Sequence, residues 1–151
     1  MLAFVLTSIL TAFKIDNYEF EVEHLTLNGT AYSLRVSNNE TLYFNYMDVV
    51  SLPFECEHLS RNTIAYSLSN LGDMDICANQ ANNSTGRFTI IPRSGSSAPA
   101  GLRSLYRSAL ANPFQIDLIC NRVESMRVSR SISGSYLVTW HNPAGCARVV
   151  G

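Results

Sequence analysis

The stretch "GSYLVTWHNPAGC", residues Gly134 to Cys146, decides the fold of this chain. From Tyr136 to Trp140 large apolar side chains alternate with others, which is the pattern of a half-buried β-strand. The strand ends at the sole tryptophan of the sequence and is followed by a polar turn and a cysteine. Such a strand needs neighbours, and several other segments are candidates.

These segments have the composition of short strands. The run "YEFEVEHLTLNGTAYSLRV" alternates around Asn28-Gly29, a dipeptide that favours a two-residue hairpin turn, and it predicts two antiparallel strands. Aromatic and β-branched residues predict further strands in "TLYFNYMDVV", "GRFTIIP", "FQIDLICNR" and "ESMRVSRS".

The remaining segments are less regular. Residues 51–85 mix short apolar pieces with Asn, Gly and Asp, and predict short strands or a loop held by cysteines. "RSGSSAPAG" has the composition of an exposed mobile loop, and "LRSLYRSAL" fits one helical turn or a strand. No segment has a long 3.6-residue apolar period. The sequence therefore predicts an all-β fold, an antiparallel sandwich or flattened barrel of about nine strands.

The length of 151 residues, with 46% apolar and 15% charged residues, suits one globular domain. The opening "MLAFVLTSILTAF" is too short to span a bilayer but suits the apolar core of a secretory signal, and a buried strand is the alternative. We expect a possible signal segment at residues 1–13 and a single β domain at 14–151. Sequons that fit the secretory route begin at Asn28, Asn39, Asn82 and Asn83.

Charge is distributed unevenly along the chain. Residues 1–80 hold ten acids and three bases, whereas residues 81–151 hold two acids and eight bases. Ten of the eleven bases are Arg, which suits bidentate contacts with carboxylate or phosphate, although pairing with the acidic half or with solvent is the simpler interpretation. No basic run is dense enough to predict a nucleic-acid partner.

The cysteines are even in number and contain no C-x-x-C pair, which excludes zinc-finger spacing. In an oxidising compartment they would form two disulfides. Three connectivities are possible, of which pairing neighbours in sequence is the simplest, and four buried free thiols are the alternative. The four are Cys56, Cys77, Cys120 and Cys146.

Motifs for catalysis are not found in the sequence. No G-x-S-x-G or G-x-x-x-x-G-K occurs, and His24, His58 and His141 lack metal-ligand spacing. Asp73 and Asp75 offer carboxylates to a hard cation, but two acids in a turn are more often solvated. We therefore expect no enzyme activity, no metal and no cofactor.

Four segments together resemble the mannose 6-phosphate receptor homology family, whose members are lectin domains of the secretory pathway. These segments, "LYFNYMDVV", "DICANQ", "IDLICNR" and "SYLVTWHNPAGC", lie within residues 18–148. The last is the most specific, because it is similar to the family pattern F-x-W-x-T-x-x-A-C. Val138 replaces the Phe, Asn142 the Thr and Gly145 the Ala.

The resemblance implies disulfides between Cys120 and Cys146 and between Cys56 and Cys77. A third bridge of the family has lost both partners here, and Gly134 holds one of the two places.

The resemblance also implies a sugar site, in which Gln, Arg, Glu and Tyr hydrogen-bond the hydroxyls of mannose. Tyr136 matches the Tyr by its spacing from Cys146, and Gln80 matches the Gln three residues after Cys77. Arg107 or Arg103 is the candidate for the Arg and Glu124 for the Glu, each with a shift from the ungapped position.

Two functions follow from the resemblance. The first is a non-catalytic lectin-like domain of the secretory-pathway lumen or the cell exterior that recognises a glycan or glycoprotein. The second is a structural or assembly module of the same fold that binds a protein partner through its Arg-bearing face or a sheet edge. Because the family includes type I membrane proteins, the resemblance also leads us to expect a membrane anchor beyond Gly151. The first function requires that Gln80, an Arg, a carboxylate and Tyr136 converge.

Overall fold

The structure is a computed structural model that describes residues 12–83, 86–107, 113–130 and 134–150. The described part of the chain contains twelve strands and short 3-10 turns, and no α-helix. The strands are β1 Phe13–Ile15, β2 Tyr18–Phe20, β3 Tyr32–Ser37, β4 Glu40–Phe44, β5 Thr63–Leu71, β6 Met74–Asn82, β7 Arg87–Ile91, β8 Gly101–Tyr106, β9 Phe114–Cys120, β10 Ser125–Arg130, β11 Tyr136–Asn142 and β12 Arg148–Val149. The all-β prediction is therefore confirmed.

The strands form three sheets with the orders β3-β4-β5-β6, β10-β11-β9-β8-β7 and β1-β2-β12. The prediction of a wholly antiparallel fold is wrong at one place, because β11 pairs with β9 in parallel. After β9 the chain first forms β10 and then β11, and β11 lies between β10 and β9 in the sheet. The five-stranded sheet is consequently mixed.

The core lies between the four-stranded and five-stranded sheets, as in a β-sandwich. Trp140 on β11 is fully buried, and its ring meets those of Tyr32, Phe44 and Tyr46 at centroid distances of 4.8, 6.3 and 5.7 Å. Aromatic pairs in such edge-to-face arrangements add to the stabilisation from buried area. The alternation seen in the sequence from Tyr136 to Trp140 is thus the inward face of β11.

A second, smaller cluster covers the outer face of the four-stranded sheet. Tyr66 on β5 packs there with Val50 and with the disulfide-bonded pair Cys56 and Cys77. Because β5 is buried on both faces in its first half, its sequence shows no clean alternation. Residues 63–82 form two nine-residue strands, β5 and β6, and not the short strands that the sequence predicts. Residues 51–62 form a loop that the Cys56–Cys77 disulfide holds, which agrees with the prediction of a loop held by cysteines.

The predicted hairpin at Asn28-Gly29 is wrong, since β2 and β3 belong to different sheets. The segment between them is held by the side-chain amide of Asn45. That amide accepts a hydrogen bond from the backbone N–H of Leu27 at 2.8 Å and donates one to its carbonyl at 2.9 Å. Gly29 keeps the left-handed φ of +77° that the dipeptide favours. The bend connects two sheets and not two paired strands.

Several strand predictions are confirmed with adjusted ends. "GRFTIIP", "FQIDLICNR", "ESMRVSRS" and "SYLVTW" contain β7, β9, β10 and β11, and "LRSLYRSAL" begins with the end of strand β8. "TLYFNYMDVV" is a strand only in its first part, because β4 ends at Phe44 and Met47 has a φ of +62°.

The first strand begins at the last residue of the possible signal segment. This residue, Phe13, begins β1 and packs on Phe88 at a ring distance of 4.9 Å. Ala12 is also described, whereas residues 1–11 of that segment lie outside the described residues. Phe13 thus packs with the described strands.

Both disulfides implied by the resemblance are present. Cys56 bonds to Cys77 and Cys120 to Cys146, with Cα distances of 5.5 and 4.4 Å. The second disulfide joins the end of β9 to the 3-10 turn that follows β11, beside the buried indole. The cysteine that closes the opening stretch therefore locks β11 to its parallel neighbour. Two disulfides are typical of proteins from oxidising environments.

Candidate functional site

A group of polar side chains lies at one end of the sandwich, between the two large sheets. We call it the tyrosine cluster, and it consists of Tyr136, Arg130, Glu40, Ser67 and Gln80. Three strands of one sheet and two of the other contribute to it. The cluster faces inward, so its members meet across the gap between the layers.

Tyr136 and Arg130 are placed by the hairpin of β10 and β11. They are directly paired across the two strands, so both side chains lie on the inner face. Arg130 donates a hydrogen bond from Nη2 to the Tyr136 hydroxyl at 2.8 Å, and its guanidinium lies 4.8 Å from the centre of the Tyr136 ring. Tyr136 is only 1% exposed, whereas the Arg130 side chain is 48% exposed. Arg130 therefore covers the tyrosine on the solvent side.

Glu40 reaches the cluster from the opposite sheet, where it is the first residue of β4. Its carboxylate accepts a short hydrogen bond from the Tyr136 hydroxyl. It also pairs with Arg130, with Nη1 to Oε1 at 3.3 Å. The carboxylate side chain is 11% exposed, so this ion pair connects the two layers in a partly desolvated place.

Ser67 and Gln80 complete the cluster on the four-stranded sheet. Ala65 pairs with Ala81, but Tyr66 pairs with Asn79, so Gln80 is an extra residue in β6. Such a β-bulge turns a side chain away from the regular alternation. Gln80 donates from Nε2 to the Ser67 hydroxyl at 3.1 Å.

Hydrogen bonds connect Tyr136 with Arg130 and Glu40, and Gln80 with Ser67. The Ser67 hydroxyl is also close enough to the Tyr136 phenol to influence its pKa. Burial and, after it, the contact with Glu40 raise the pKa of Tyr136 to about 12, although Arg130 and Ser67 act to lower it. The phenol is therefore protonated at neutral pH and acts as a donor to Glu40.

Two of the four residues that the resemblance implies for a sugar site belong to the cluster, namely Tyr136 and Gln80. The carboxylate that contacts Tyr136 is Glu40 and not Glu124. Glu124 instead accepts hydrogen bonds from the indole N–H of Trp140 and the amide of Asn142, both at 3.0 Å. It satisfies a buried donor of the core.

The arginine that contacts Tyr136 is Arg130 and not Arg107. Arg107 directly follows β8, at the same end of the five-stranded sheet, but β9 lies between β8 and β11. Arg103 lies four residues earlier, on β8. On the outer face of the sheet it forms a bidentate pair with Asp117, in which Nε donates to Oδ1 at 2.8 Å and Nη2 donates to Oδ2 at 3.1 Å.

Sequence reasoning missed Glu40 and Arg130 for different reasons. Glu40 lies 96 residues from Tyr136 in sequence, and no local pattern connects the two. Arg130 lies six residues before Tyr136, and a hairpin of the predicted strands around Gly134 would have paired them. The register of that hairpin is therefore the feature of the sequence from which Arg130 could have been predicted.

The other predicted features show no further site. The described residues contain no group of His, Cys, Asp and Glu that could hold a metal. They also include no helix with the length and apolar character needed to cross a bilayer. Among the sequon residues, Asn28, Asn39 and Asn83 are exposed, whereas Asn82 is half-buried and accepts a hydrogen bond from Asn79.

Comparison with known proteins gives no match to a family model and no significant similarity to a curated protein.

Proposed function

We propose that this protein is a non-catalytic lectin-like domain whose tyrosine cluster binds a hexopyranose such as mannose on a glycan or glycoprotein. The observation that carries this proposal is the convergence of Tyr136, Gln80, an arginine and a carboxylate at one end of the sandwich. These are the four side-chain types that the family uses for its sugar. Here Arg130 and Glu40 supply the arginine and the carboxylate.

The chemistry of the cluster suits a sugar ring. A pyranose offers neighbouring hydroxyls, each of which donates and accepts hydrogen bonds. Glu40 supplies acceptor oxygens, Arg130 supplies a planar set of donors, and the Gln80 amide supplies both. In the proposed complex Arg130 swings away from Tyr136, and sugar hydroxyls replace its contacts with Glu40. The half-exposed Arg130 side chain is free to make this movement.

The wider context of the proposal comes from the resemblance and the disulfides. We assign the domain to the mannose 6-phosphate receptor homology family, with its flattened-barrel arrangement, as a divergent member. The two disulfides support a place in the secretory-pathway lumen or outside the cell.

A glycan array probed with the purified domain tests this function. We expect binding to mannose-containing glycans, lost in Tyr136→Phe and in Gln80→Ala. The matched controls are Tyr43→Phe and Gln115→Ala, which make the same changes on outer faces of the sheets. Binding that survives both cluster substitutions, or that is lost equally in the controls, would contradict the proposal.

A second candidate is a structural module that binds a protein partner and no sugar. The observation that favours it is that the cluster groups already satisfy one another, with Tyr136 nearly fully buried. In that case the cluster serves to join the two sheets. Tyr136→Phe would then lower the free energy of unfolding by about 1–3 kcal/mol, and the wild-type domain would bind no glycan on the array.

A further inference from the structure

The outer edge of the four-stranded sheet is open at its last strand. β6 pairs with β5 on one side, and no other described strand pairs with it on the other. It is nine residues long, whereas natural proteins usually keep exposed edge strands short or protect them with Lys, Pro or a bulge. The bulge at Gln80 protects its C-terminal half. The N-terminal half, from Met74 to Ala78, contains neither Lys nor Pro.

Apolar side chains are exposed at this unprotected half. Leu71, Met74 and Ile76 are 51%, 62% and 41% exposed, and they are three of the few large apolar residues on the described surface. Leu71 is paired with Met74, and Ile76 with Ser69, so all three side chains lie on the same face of the hairpin. Ser69 is paired in turn with Glu40 of the tyrosine cluster. The apolar patch therefore adjoins the cluster.

The backbone of β6 presents hydrogen-bonding groups outward at regular positions. The hairpin has the two-residue turn Gly72-Asp73, in which the flanking residues Leu71 and Met74 bond to each other. Because hydrogen-bonded and non-bonded pairs alternate along an antiparallel ladder, the N–H and C=O groups of Asp75 and Cys77 point to the open edge. These groups can bond an additional strand.

The charge at this edge is negative. Asp73 and Asp75 form no ion pair with the described residues, and the half of the chain that contains them holds ten acids and three bases. An added strand with basic side chains complements this charge, whereas an anionic lipid surface is repelled by it.

We propose that the N-terminal half of β6 docks an extended segment of another protein, with alternating apolar and basic side chains, as a fifth strand of the sheet. The segment's backbone bonds to Asp75 and Cys77, its apolar side chains cover Met74 and Ile76, and its bases face Asp75. This mode of binding is β-strand addition. It does not depend on the proposed sugar site.

The test uses a labelled peptide of about ten residues in which valine alternates with lysine, and a matched peptide with glutamate in place of lysine. We expect the lysine peptide to bind the intact protein at least about tenfold more tightly than the glutamate peptide in fluorescence anisotropy. Amide exchange at Asp75 and Cys77 should slow on binding, while that at Met74 and Ile76 stays unchanged.

Two variants test the surface directly. Asp75→Pro removes a donor that points outward and leaves the ladder with β5 intact, so it should weaken peptide binding at least about tenfold. Circular dichroism checks its fold. Ile76→Ser, which leaves the backbone unchanged, should weaken binding about fivefold. Val123→Ser, at another exposed apolar residue, is the matched control and should have no effect.

Three results would overturn the proposal. The first is equal binding of both peptides, or no binding of the lysine peptide at about 1 mM. The second is a dimer of the protein alone that Asp75→Pro abolishes, which would make a second copy the occupant. The third is Ile76-dependent binding to phosphatidylcholine vesicles, which would make the patch a lipid contact.

Discussion

Tyr136 illustrates how one hydroxyl acquires its role from charged neighbours. Its phenol donates to Glu40 and accepts from Arg130, and its ring lies under the guanidinium. A buried phenol with these partners stays protonated, because ionising it would place two negative charges side by side. The same arrangement that would orient a sugar also holds the two sheets together.

The protonation of Tyr136 predicts sensitivity to alkali. Its pKa is raised from the usual 10.0 to about 12, so its contribution to stability is complete below pH 10 and is lost as the pH rises toward 12. Tyr66 and Tyr106 have pKa values raised to about 12 as well, chiefly by burial. We expect the free energy of unfolding to fall over this pH range.

Urea titrations at several pH values measure this dependence. In Tyr136→Phe the free energy of unfolding should fall less steeply with pH. The reason is that the variant releases about one proton fewer on unfolding in this pH range. Tyr18→Phe, at a partly exposed tyrosine that packs against the edge of the core, serves as the control. An unchanged pH dependence in Tyr136→Phe would show that this phenol ionises as it does in the unfolded chain.

Gly145 provides a second test at the scale of one residue. A Cβ there would lie 2.8 Å from the backbone N of Cys120 and 2.9 Å from the carbonyl O of Leu118. Since backbone atoms of a central strand cannot give way cheaply, we expect Gly145→Ala to cost about 1–3 kcal/mol in urea unfolding. Gly95→Asn, in an open loop with a left-handed φ of +75°, should cost much less. Equal costs would contradict this packing.

At the scale of elements, the sequence predicts a strand well where one face is buried. The alternation of β11 and the aromatic content of β9 identify these strands directly. β5 and β6 are obscured, because a loop covers the outer face of β5 and a bulge interrupts β6 at Gln80. Similarly, the parallel pairing of β9 and β11 depends on the order in which distant segments join the sheet.

The residues of the candidate site likewise differ in how far the sequence indicates them. The resemblance names Tyr136, by its spacing to Cys146, and Gln80, three residues after Cys77, and the structure brings both into the tyrosine cluster. Glu40 could not, because only the packing of two sheets brings it to Tyr136. Residues that meet between two sheets have no regular spacing in the sequence. Their contacts therefore cannot be predicted from the sequence pattern alone.

The two disulfides are expected to act on different elements. Both close loops of similar length, with sequence separations of 21 and 26 residues. The chain-entropy model therefore gives each about 3 kcal/mol of stabilisation. Their surroundings differ, because Cys120–Cys146 joins the central strand β9 to the 3-10 turn after β11, whereas Cys56–Cys77 holds the outer loop to β6.

Hydrogen exchange on paired alanine variants distinguishes these roles. Removing Cys56 and Cys77 together should increase exchange mainly in residues 50–62 and leave β9 and β11 protected. Removing Cys120 and Cys146 together should lower protection throughout the five-stranded sheet. If both variants gave the same exchange pattern, the outer loop would be part of the same cooperative unit as the core.

At the scale of the whole molecule, the two large sheets come from halves of opposite charge. The four-stranded sheet belongs to the acidic first half and the five-stranded sheet to the basic second half. Ion pairs connect the halves, between Arg130 and Glu40 and between Arg148 and both Glu19 and Glu21. The uneven charge of the sequence thus corresponds to ion pairs between its two halves, of which Arg130–Glu40 joins the two large sheets and the Arg148 pairs lie at the three-stranded sheet.

These ion pairs predict a dependence on salt. We expect about 1 M sodium chloride to lower the melting temperature by about 2 °C, because salt screens partly exposed pairs. Calorimetry at low and high salt measures the shift. In Arg148→Gln the shift should be smaller, since two of the pairs are already absent. An identical shift in that variant would indicate that these pairs contribute nothing measurable.

The most direct test of the proposed sugar site is an NMR titration of the isotope-labelled domain with methyl α-mannoside. We predict that the resonances of the Gln80 side-chain amide and the Arg130 guanidinium shift first and saturate, with neighbouring backbone signals of Tyr136 and Glu40. No shift at about 10 mM sugar, or shifts confined to surfaces away from the tyrosine cluster, would contradict the claim that this cluster binds a hexopyranose.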